Sequence, residues 1–511
     1  MADRTLCISL MPQTNDEALA GFAEAARWGA MAELRLDAMR QFDLHRLLAA
    51  PPCPIIVTYR PQREGGRYDG PEPPRLAALR QAARLGARYI DVEHDALGAL
   101  GDVPPDRLIV AYHDFRGVPP DLEAVHARLA KSGASITKLA VTARHILDTV
   151  PVLRLLQSAR TPTIALAMGA RGLITRILAP KFGAPFTYAA LTDGDEAGPG
   201  QVSIRRMRDL YRADRIGPTT RLYGVIADPV GHSLSPQLHN AAFAEAGLDL
   251  PTGQAGAVYL PLWVEGDPAA FVRAMREFDF DGYSVTIPHK QTVMAALDCV
   301  DPMARRIGAV NTIRRRADGS LAGTNTDWSA GLAAIEAVVG QGWLRGKRAL
   351  ILGAGGLGRA MAFALQDRGS RITLSDTEAE RAETLARQVG AETCPIGRIA
   401  PQSPDETTRG GSPDPPHKAW DILLNCTPIG MHPKPEASPV PPTMLRKDMV
   451  VYDAVYNPTE TRLLREARAA GCRTVEGIDH FVRQAAEQFE WWTGRPAPID
   501  LMRRTVIAAL A

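Results

Sequence analysis

Two lysines and a glycine-rich turn carry the chemistry that residue types and spacing suggest. Lys138 lies in an otherwise apolar run, Ile136-Thr-Lys138-Leu-Ala-Val141. A lysine in apolar surroundings loses hydration, which disfavours its ammonium form. A neutral amine can attack a ketone and form a Schiff base, an electron sink for breaking the adjacent C–H bond. His113, in Tyr112-His113-Asp114, is a base suited to that proton. The plain alternative pairs Lys138 with Glu33, Asp91 or Glu93 in a structural ionic cluster and leaves His113 a hydrogen-bonded core residue. Spacing alone does not separate the two. Further on stand Gly282-Tyr-Ser284-Val-Thr286-Ile-Pro288-His289-Lys290, then Gly308-Ala-Val-Asn311-Thr312 and Asn325-Thr326-Asp327. A lysine and an aspartate meeting at a ligand can move a proton to an alkoxide forming beside a nicotinamide. A surface salt bridge between Lys290 and Asp327 is the competing expectation.

The third feature is Gly353-Ala354-Gly355-Gly356-Leu357-Gly358. It follows a short apolar run at 349–352 and precedes an alanine- and leucine-rich stretch at 359–367 and a second apolar run at 371–374. This is the strand, glycine loop, helix, strand order of a dinucleotide-binding unit, and Asp376 follows about twenty residues on, as that motif expects. Glycines let the backbone turn tightly and approach a pyrophosphate, whose charge the helix N-terminus stabilises. A tight packing corner is the alternative for such a loop.

The elements that must position these residues follow from hydrophobic pattern. Apolar runs recur at 6–10, 32–36, 55–59, 88–92, 108–112, 136–141, 163–167 and 186–191, with helical stretches at 17–28, 74–85, 121–131 and 144–158 among them. Eight strands alternating with helices predict a (β/α)8 TIM barrel, with an open doubly wound sheet as the runner-up. A barrel demands polar functional residues at the C-terminal ends of its strands. Glu33-Leu-Arg35-Leu-Asp37, Thr58-Tyr-Arg60, Asp91-Val-Glu93 and Tyr112-His113-Asp114 meet that demand. Residues 211–219 read as a brief connection. A new strand at 221–227 then leads to His232-Ser233-Leu-Ser235-Pro236, where Ser235 is expected as an N-cap with proline at the first helical position.

Composition sets the outer limits. At 511 residues the chain exceeds one compact domain, given about 150 residues per domain. The apolar fraction of 45%, charged fraction of 23% and formal charge of +2 are those of an ordinary soluble protein, with no case for nucleic acid or a membrane as partner. Six scattered cysteines without a C-x-x-C pair argue against a disulfide framework and a zinc site. No metal is expected. The N-terminus lacks a signal-peptide pattern and no run approaches membrane-spanning length, so a cytoplasmic enzyme is expected.

Read together, Glu33-Leu-Arg35-Leu-Asp37, Thr58-Tyr-Arg60-x-x-x-Glu64-Gly-Gly, His113-Asp-Phe115, Thr137-Lys138-Leu-Ala and Pro199-Gly-Gln201 resemble, in that order, the type I 3-dehydroquinate dehydratases. The resemblance implies a barrel over residues 1–215, Lys138 as the Schiff-base lysine, and His113 as general acid/base oriented by Glu64. It makes Ser9, Glu33, Arg35, Arg60 and Gln201 substrate contacts, and Arg176 a guanidinium fork for the substrate carboxylate. One departure stands out: the family's closing loop usually reads Ser-Ala-Pro-Gly-Gln, whereas this chain has Ala197-Gly198-Pro199-Gly200-Gln201. The missing hydroxyl removes one expected substrate contact.

The remainder resembles shikimate dehydrogenase. That resemblance implies a bilobed half: a substrate lobe at 220–328, a Rossmann-type nucleotide lobe at 329–477, and C-terminal helices at 478–511 returning to the substrate lobe. Lys290 and Asp327 match the catalytic pair. Ser233, Ser235, Thr286, Asn311, Tyr456 and Gln484 match substrate contacts, and the glycine loop, Thr427 and Gly477 match the cofactor side. Ser284 stands where the usual bacterial wording has asparagine, which is closer to the plant-type fused enzymes. Residues 401–417, rich in Pro, Gly, Ser and charge, are expected to be a flexible insertion, with a docking segment as the alternative. The implied enzyme dehydrates 3-dehydroquinate and reduces the resulting 3-dehydroshikimate to shikimate with NAD or NADP. NADP-dependent relatives usually carry Asn-Arg-Thr after the second nucleotide-lobe strand. Here Ser375-Asp376-Thr377 sets a carboxylate that would bond ribose hydroxyls and repel a 2′-phosphate, so NAD is the expected preference. Two rivals stay open: a catabolic quinate dehydrogenase in the second half, and a non-catalytic sensor or repressor built on both folds.

Overall fold

Eight parallel strands follow one another in the first half of this computed structural model, which describes residues 6–248, 256–399 and 420–510. They are β1 (Leu6–Leu10), β2 (Met31–Arg35), β3 (Ile55–Thr58), β4 (Tyr89–Glu93), β5 (Leu108–Asp114), β6 (Ile136–Thr142), β7 (Thr163–Met168) and β8 (Thr187–Ala190). Each pairs in parallel with its predecessor through β7, and β8 pairs with β1. That last ladder overturns the open-sheet alternative. The ladder is interrupted at one place, between β7 and β8, so the barrel is nearly closed.

Strand period puts the functional side chains inside. Cys7, Met31, Ile56, Ile109, Ile136, Ile164, Phe186 and Tyr188 share one apolar cluster. Two residues further along their strands, on the same face, lie Ser9, Glu33, Thr58 and Lys138, with Asp91 and His113 in equivalent positions. The barrel interior is therefore layered, apolar at the N-terminal end and charged towards the C-terminal mouth. Helices cover the outside and begin with local signals. Thr14 caps Asn15–Arg27 by accepting the Glu17 N–H, and Glu72–Arg84 opens with prolines.

The second half carries two more sheets. The first comprises β9 (Arg221–Ala227), β10 (Ala257–Trp263), β11 (Phe280–Val285), β12 (Cys299–Val300), β13 (Thr312–Arg315) and β14 (Leu321–Thr324), in the order β10-β9-β11-β13-β14-β12. It is mixed: β9–β10 and β9–β11 are parallel, and β11–β13 and β13–β14 antiparallel. The second comprises β15 (Arg348–Leu352), β16 (Arg371–Ser375), β17 (Glu392–Thr393), β18 (Ile422–Asn425), β19 (Val450–Asp453) and β20 (Arg473–Val475). Its order β17-β16-β15-β18-β19-β20 is all-parallel and reverses direction between β15 and β18. A crevice forms at the carboxyl ends of strands flanking such a switch point, and there the glycine loop after β15 meets Thr427 after β18. The last two helices, Gly477–Thr493 and Ile499–Leu510, pack against the first of these sheets: Ile478, Phe489, Trp492, Met502 and Val506 share a buried cluster with Tyr223, Phe243 and Tyr259.

The helix expected at Ser235 starts one residue earlier than predicted. Ser235 is its first residue, Pro236 its second, and Leu234 holds the cap position. The reason is local: Ser233 Oγ accepts the Ser235 N–H at 3.3 Å, so the hydroxyl-led turn that introduces the helix belongs to Ser233. The 401–417 segment lies outside the described residues. Among the described residues no helix is long and apolar enough to cross a membrane, and no cluster of His, Cys, Asp and Glu could hold a metal ion.

Candidate active sites

Inside the barrel mouth, Lys138 Nζ donates to Asp91 Oδ2 at 2.7 Å and lies 3.5 Å from Glu33 Oε1, over the ring of Tyr188 at 4.3 Å. Of the two surroundings left open for Lys138, the fold provides the ionic one, with Asp91 and Glu33. Its neighbours along β6 are apolar, but the barrel brings β2 and β4 across the interior and sets two carboxylates on the amine. Glu93 is not a partner; it accepts Arg60 Nη1 at 2.6 Å, while Arg60 Nη2 reaches Asp91 Oδ1 at 2.6 Å. Burial opposes charge on Asp91, yet Arg60 and Lys138 hold its carboxyl well below the usual range. Glu33 is held low in the same way, by Lys138, Arg35 and a hydrogen bond from Ser9 at 2.7 Å. Thr58 Oγ1 takes the other Glu33 oxygen at 2.8 Å. Arg35 is locked in a two-point pair with Asp37 (2.9 and 2.7 Å).

His113 stands at the end of β5. Its Nδ1 lies 3.0 Å from Glu64 Oε2, and its backbone N–H donates to the same oxygen at 3.0 Å. Burial, then the Arg60 and Lys138 charges, keep the imidazole well below its ordinary value. Burial also pushes the Glu64 carboxyl up to about 7, with Glu93 adding and Arg60 opposing. Above them the closing loop is drawn in. Gln201 Oε1 accepts the Ala197 N–H at 2.9 Å while its Nε2 donates to Ser9 Oγ at 3.3 Å, and Arg176 Nη2 donates to Pro199 O at 3.2 Å. Arg176 is 2% exposed, its Nε has no partner, and burial pulls its guanidinium down to about 10. A buried guanidinium with an unspent donor suits an anion. The barrel therefore gathers Ser9, Glu33, Arg35, Arg60, Glu64, His113, Lys138, Arg176 and Gln201 at one mouth. Asp91 joins them although it was not singled out as a site residue; its signals were the alternating Asp91-Val-Glu93 pattern and its standing as one possible ionic partner of Lys138.

The second centre is built on the first sheet of the other half. Lys290 Nζ donates to Asp327 Oδ2 at 2.6 Å, and Asn311 Nδ2 donates to Asp327 Oδ1 at 2.9 Å. Asp327 is 3% exposed; burial opposes its charge, but Lys290 and His480 hold its carboxyl well below the usual range. Asn325 Oδ1 fixes the Asp327 N–H (2.9 Å) and Asn311 Oδ1 the Thr326 N–H (2.8 Å). Asp327 is buried and Lys290 partly so, which sets the pair apart from a surface salt bridge. A hydroxyl chain runs beside it: Tyr259 donates to Ser284 Oγ (2.6 Å), Ser284 to Gln488 Oε1 (2.7 Å), and Gln488 Nε2 to Gln484 Oε1 (2.8 Å). Ser233 and Thr286 are half-buried and Ser235 buried. Tyr456 stacks on Phe481 with centroids 4.2 Å apart, and burial raises its hydroxyl to about 12.

The glycine loop faces this pair. Gly353 has φ +92°, and a Cβ on Gly358 would lie 1.8 Å from Gly353 O, so neither tolerates a side chain. Nothing lies within 4 Å of where a Gly355 Cβ would stand, and the helix Gly356–Asp367 begins just beyond. An open cradle at a helix N-terminus fits a pyrophosphate. A Cβ on Gly356 would lie 3.0 Å from Lys290 Cδ, so Lys290 packs directly on the loop. Thr427 Oγ1 donates to Asn425 Oδ1 at 2.6 Å, and Asn425 Nδ2 to Asp453 Oδ1 at 2.9 Å. A Cβ on Gly477 would lie 2.3 Å from Val455 O. Asp376 is not the free carboxylate expected. Oδ2 accepts the Ala354 N–H at 2.6 Å, and Oδ1 accepts the Glu378 N–H at 2.9 Å and Arg381 Nη2 at 2.7 Å. The helix Ala379–Val389 carries that arginine back over the strand end.

Comparison with known proteins divides the chain at the same place. The family model for type I 3-dehydroquinase matches residues 6–218, that for the shikimate dehydrogenase substrate binding domain 225–313, and that for the shikimate 5′-dehydrogenase C-terminal domain 477–507. The chain is 37% identical to a chloroplastic bifunctional 3-dehydroquinate dehydratase/shikimate dehydrogenase of Arabidopsis thaliana, over 97% of this chain and 83% of that one. It is 41% identical to a shikimate dehydrogenase (NADP(+)) of Moorella thermoacetica, over 58% of this chain and 96% of that one. A crystal structure of a shikimate dehydrogenase in complex with NADP+ superposes with a TM-score of 0.51 at 33% identity, covering 58% of this chain and 98% of that one.

Proposed function

From the premise that the chain belongs to the bifunctional 3-dehydroquinate dehydratase/shikimate dehydrogenase family, we propose a division of labour among its residues. The chain is a lyase and an oxidoreductase of the shikimate pathway: it dehydrates 3-dehydroquinate and interconverts 3-dehydroshikimate and shikimate. We assign residues 1–215 to the dehydratase, 220–328 and 478–511 to the shikimate lobe, and 329–477 to the nucleotide lobe.

In the barrel, Lys138 Nζ adds to the ketone carbon of 3-dehydroquinate, and loss of water leaves an imine. His113 removes the C2 proton, the C–H electrons moving towards the imine nitrogen to give an enamine. The enamine expels the C1 hydroxyl, which takes a proton from His113 and leaves as water. Hydrolysis of the imine releases product and restores Lys138. Glu64 orients His113, Arg176 receives the substrate carboxylate on its unspent Nε, and Ser9, Glu33, Arg35, Arg60 and Gln201 surround the ring. The observation that carries this assignment is the convergence of Lys138 and the His113–Glu64 pair at one charged layer of an otherwise apolar barrel.

In the second half, Ser233, Ser235, Thr286, Asn311, Tyr456 and Gln484 seat 3-dehydroshikimate beside the Lys290–Asp327 pair. A dihydronicotinamide bound at Gly353–Gly358, Thr427 and Gly477 would supply hydride to the carbonyl carbon. Lys290 delivers the proton to the carbonyl oxygen, and Asp327 keeps the Lys290 amine placed.

Cofactor choice rests on the end of β16. We infer an NAD preference from Asp376, because an acid at the end of the second nucleotide-lobe strand accepts ribose hydroxyls and repels a 2′-phosphate. The Arg381 guanidinium on that carboxylate supports a second reading, in which NADP is accepted through the arginine. Initial rates with shikimate and quinate, each with NAD and NADP, decide both points. A kcat/KM ratio favouring NAD by about tenfold, moving towards NADP in D376N, is expected. A parental preference for NADP sinks the Asp376 assignment. For the barrel, borohydride added with 3-dehydroquinate should trap a reduced adduct on Lys138, absent in K138A; no adduct on the parent chain overturns the Schiff-base assignment.

A further inference from the structure

His480 sits one turn before Gln484 on the helix Gly477–Thr493. It is 6% exposed, and its Nε2 lies 3.6 Å from Asp327 Oδ1. That oxygen also accepts Asn311, while Oδ2 accepts Lys290. At 3.6 Å the contact is electrostatic, longer than a hydrogen bond, and a carboxylate that only accepts favours an N–H at the Nε2 edge of the ring. The other ring nitrogen, Nδ1, is buried without a partner. The ring stands edge-on to Tyr452, centroids 6.0 Å apart.

The neighbouring helix makes room for this ring. Gly331 follows Asp327 by four residues on the helix Asp327–Val339, hence on the same face. A Cβ there would lie 3.2 Å from His480 Nδ1 and 2.4 Å from Met361 Sδ. Burying an imidazole with one nitrogen unspent is costly, and an apolar side chain would fill the same space without that cost. The contact with Asp327 is what sets against it.

We propose that His480 is a positioning residue of the dehydrogenase centre: with Asn311 it holds Oδ1 of Asp327, leaving Oδ2 to Lys290 so that the ammonium stays aimed at the substrate oxygen. The groups that face the ring and titrate or carry charge are Asp327 and Tyr452, with Lys290 and Glu487 reached through Asp327. The inference rests on the dehydrogenase assignment above.

The test uses the full chain, whose dehydratase rate reports that each variant is folded. H480L should lower kcat for nicotinamide-linked shikimate oxidation roughly tenfold, the order expected for losing a buried polar contact to a charged group, with the shikimate KM within about twofold. H480Q, which can present an N–H at the Nε2 end, should recover most of kcat, while the pH profile of kcat changes in both variants. Parental kcat and pH profile in H480L overturn the proposal. So does an H480Q enzyme as impaired as H480L, which would show a packing role only. A parent chain inert towards shikimate overturns instead the dehydrogenase assignment beneath it.

Discussion

His113 donates to a single oxygen of Glu64 from its backbone N–H and stands with Nδ1 at the same distance from that oxygen. When Glu64 is ionised, Nδ1 carries the hydrogen and Nε2 is free to accept the C2 proton. When Glu64 is protonated it donates to Nδ1, and the hydrogen moves to Nε2, which can no longer act as a base. Burial sets that carboxyl at about 7, so dehydratase kcat should rise as pH passes upward through about 7. In E64Q the amide oxygen can take both donors but does not titrate. The acid limb should vanish while kcat at pH 8 falls by no more than roughly tenfold. A limb near 7 persisting in E64Q would place the titration elsewhere. The identities of Lys138, His113, Lys290 and Asp327 were legible in sequence because strand alternation and motif order single them out. Most of their partners were not. Asp91 stood only as one of three carboxylates that Lys138 could pair with; Arg381, Gln488 and His480 act through contacts that only folding creates, and an apolar run reports the flanks of a strand, not what faces it across a barrel. That is why Lys138 stood open between apolar surroundings and an ionic cluster in sequence, and folding sets it between carboxylates.

At the scale of elements, the eight barrel strands stand within a residue or two of their apolar runs, because each strand must bury both faces, one in the barrel and one under a helix. The glycine loop was equally plain, since a turn that meets backbone and ligand together leaves few residue choices. What sequence did not disclose is how tightly the loop is committed. Gly358 sits against Gly353 O, and Gly356 against Lys290. G358A must open the turn, and overpacking of this kind costs about 1–3 kcal/mol. We expect cofactor KM to rise by about 10–100-fold, in proportion to that cost, while the dehydratase rate on the same chain is unchanged. Titration of cofactor fluorescence gives the direct check; unaltered affinity in G358A would show that the loop does not hold the pyrophosphate. The opening turn at Ser233 marks the limit of legibility here: helix ends shift by one residue when neighbouring hydroxyls compete for the cap.

Across the whole molecule, buried apolar side chains do not divide as the two activities do. One cluster runs from Leu6 in the barrel through Ile216 and on into the second sheet as far as Leu321, whereas the nucleotide sheet has clusters of its own, around Ile351 and Leu423. At the join Phe182 meets Phe278 edge-on, centroids 5.6 Å apart, and Phe278 is 1% exposed. Two charge pairs, Arg154–Glu277 and Arg171–Glu265, flank it with their side chains a quarter to half exposed. Partly exposed pairs contribute little to stability, so the apolar join should be what makes the barrel and the shikimate sheet unfold together. Calorimetry should show one transition for those two units and another for the nucleotide sheet, with the nicotinamide cofactor raising the latter by mass action. F278A removes a buried ring, at about 3–5 kcal/mol, and should split the shared transition. The double variant E265A/E277A should leave it single. A parent chain whose barrel melts independently of the shikimate sheet, or an F278A chain that keeps them together, would mean that the continuous core does not couple the two units and that each folds on its own contacts.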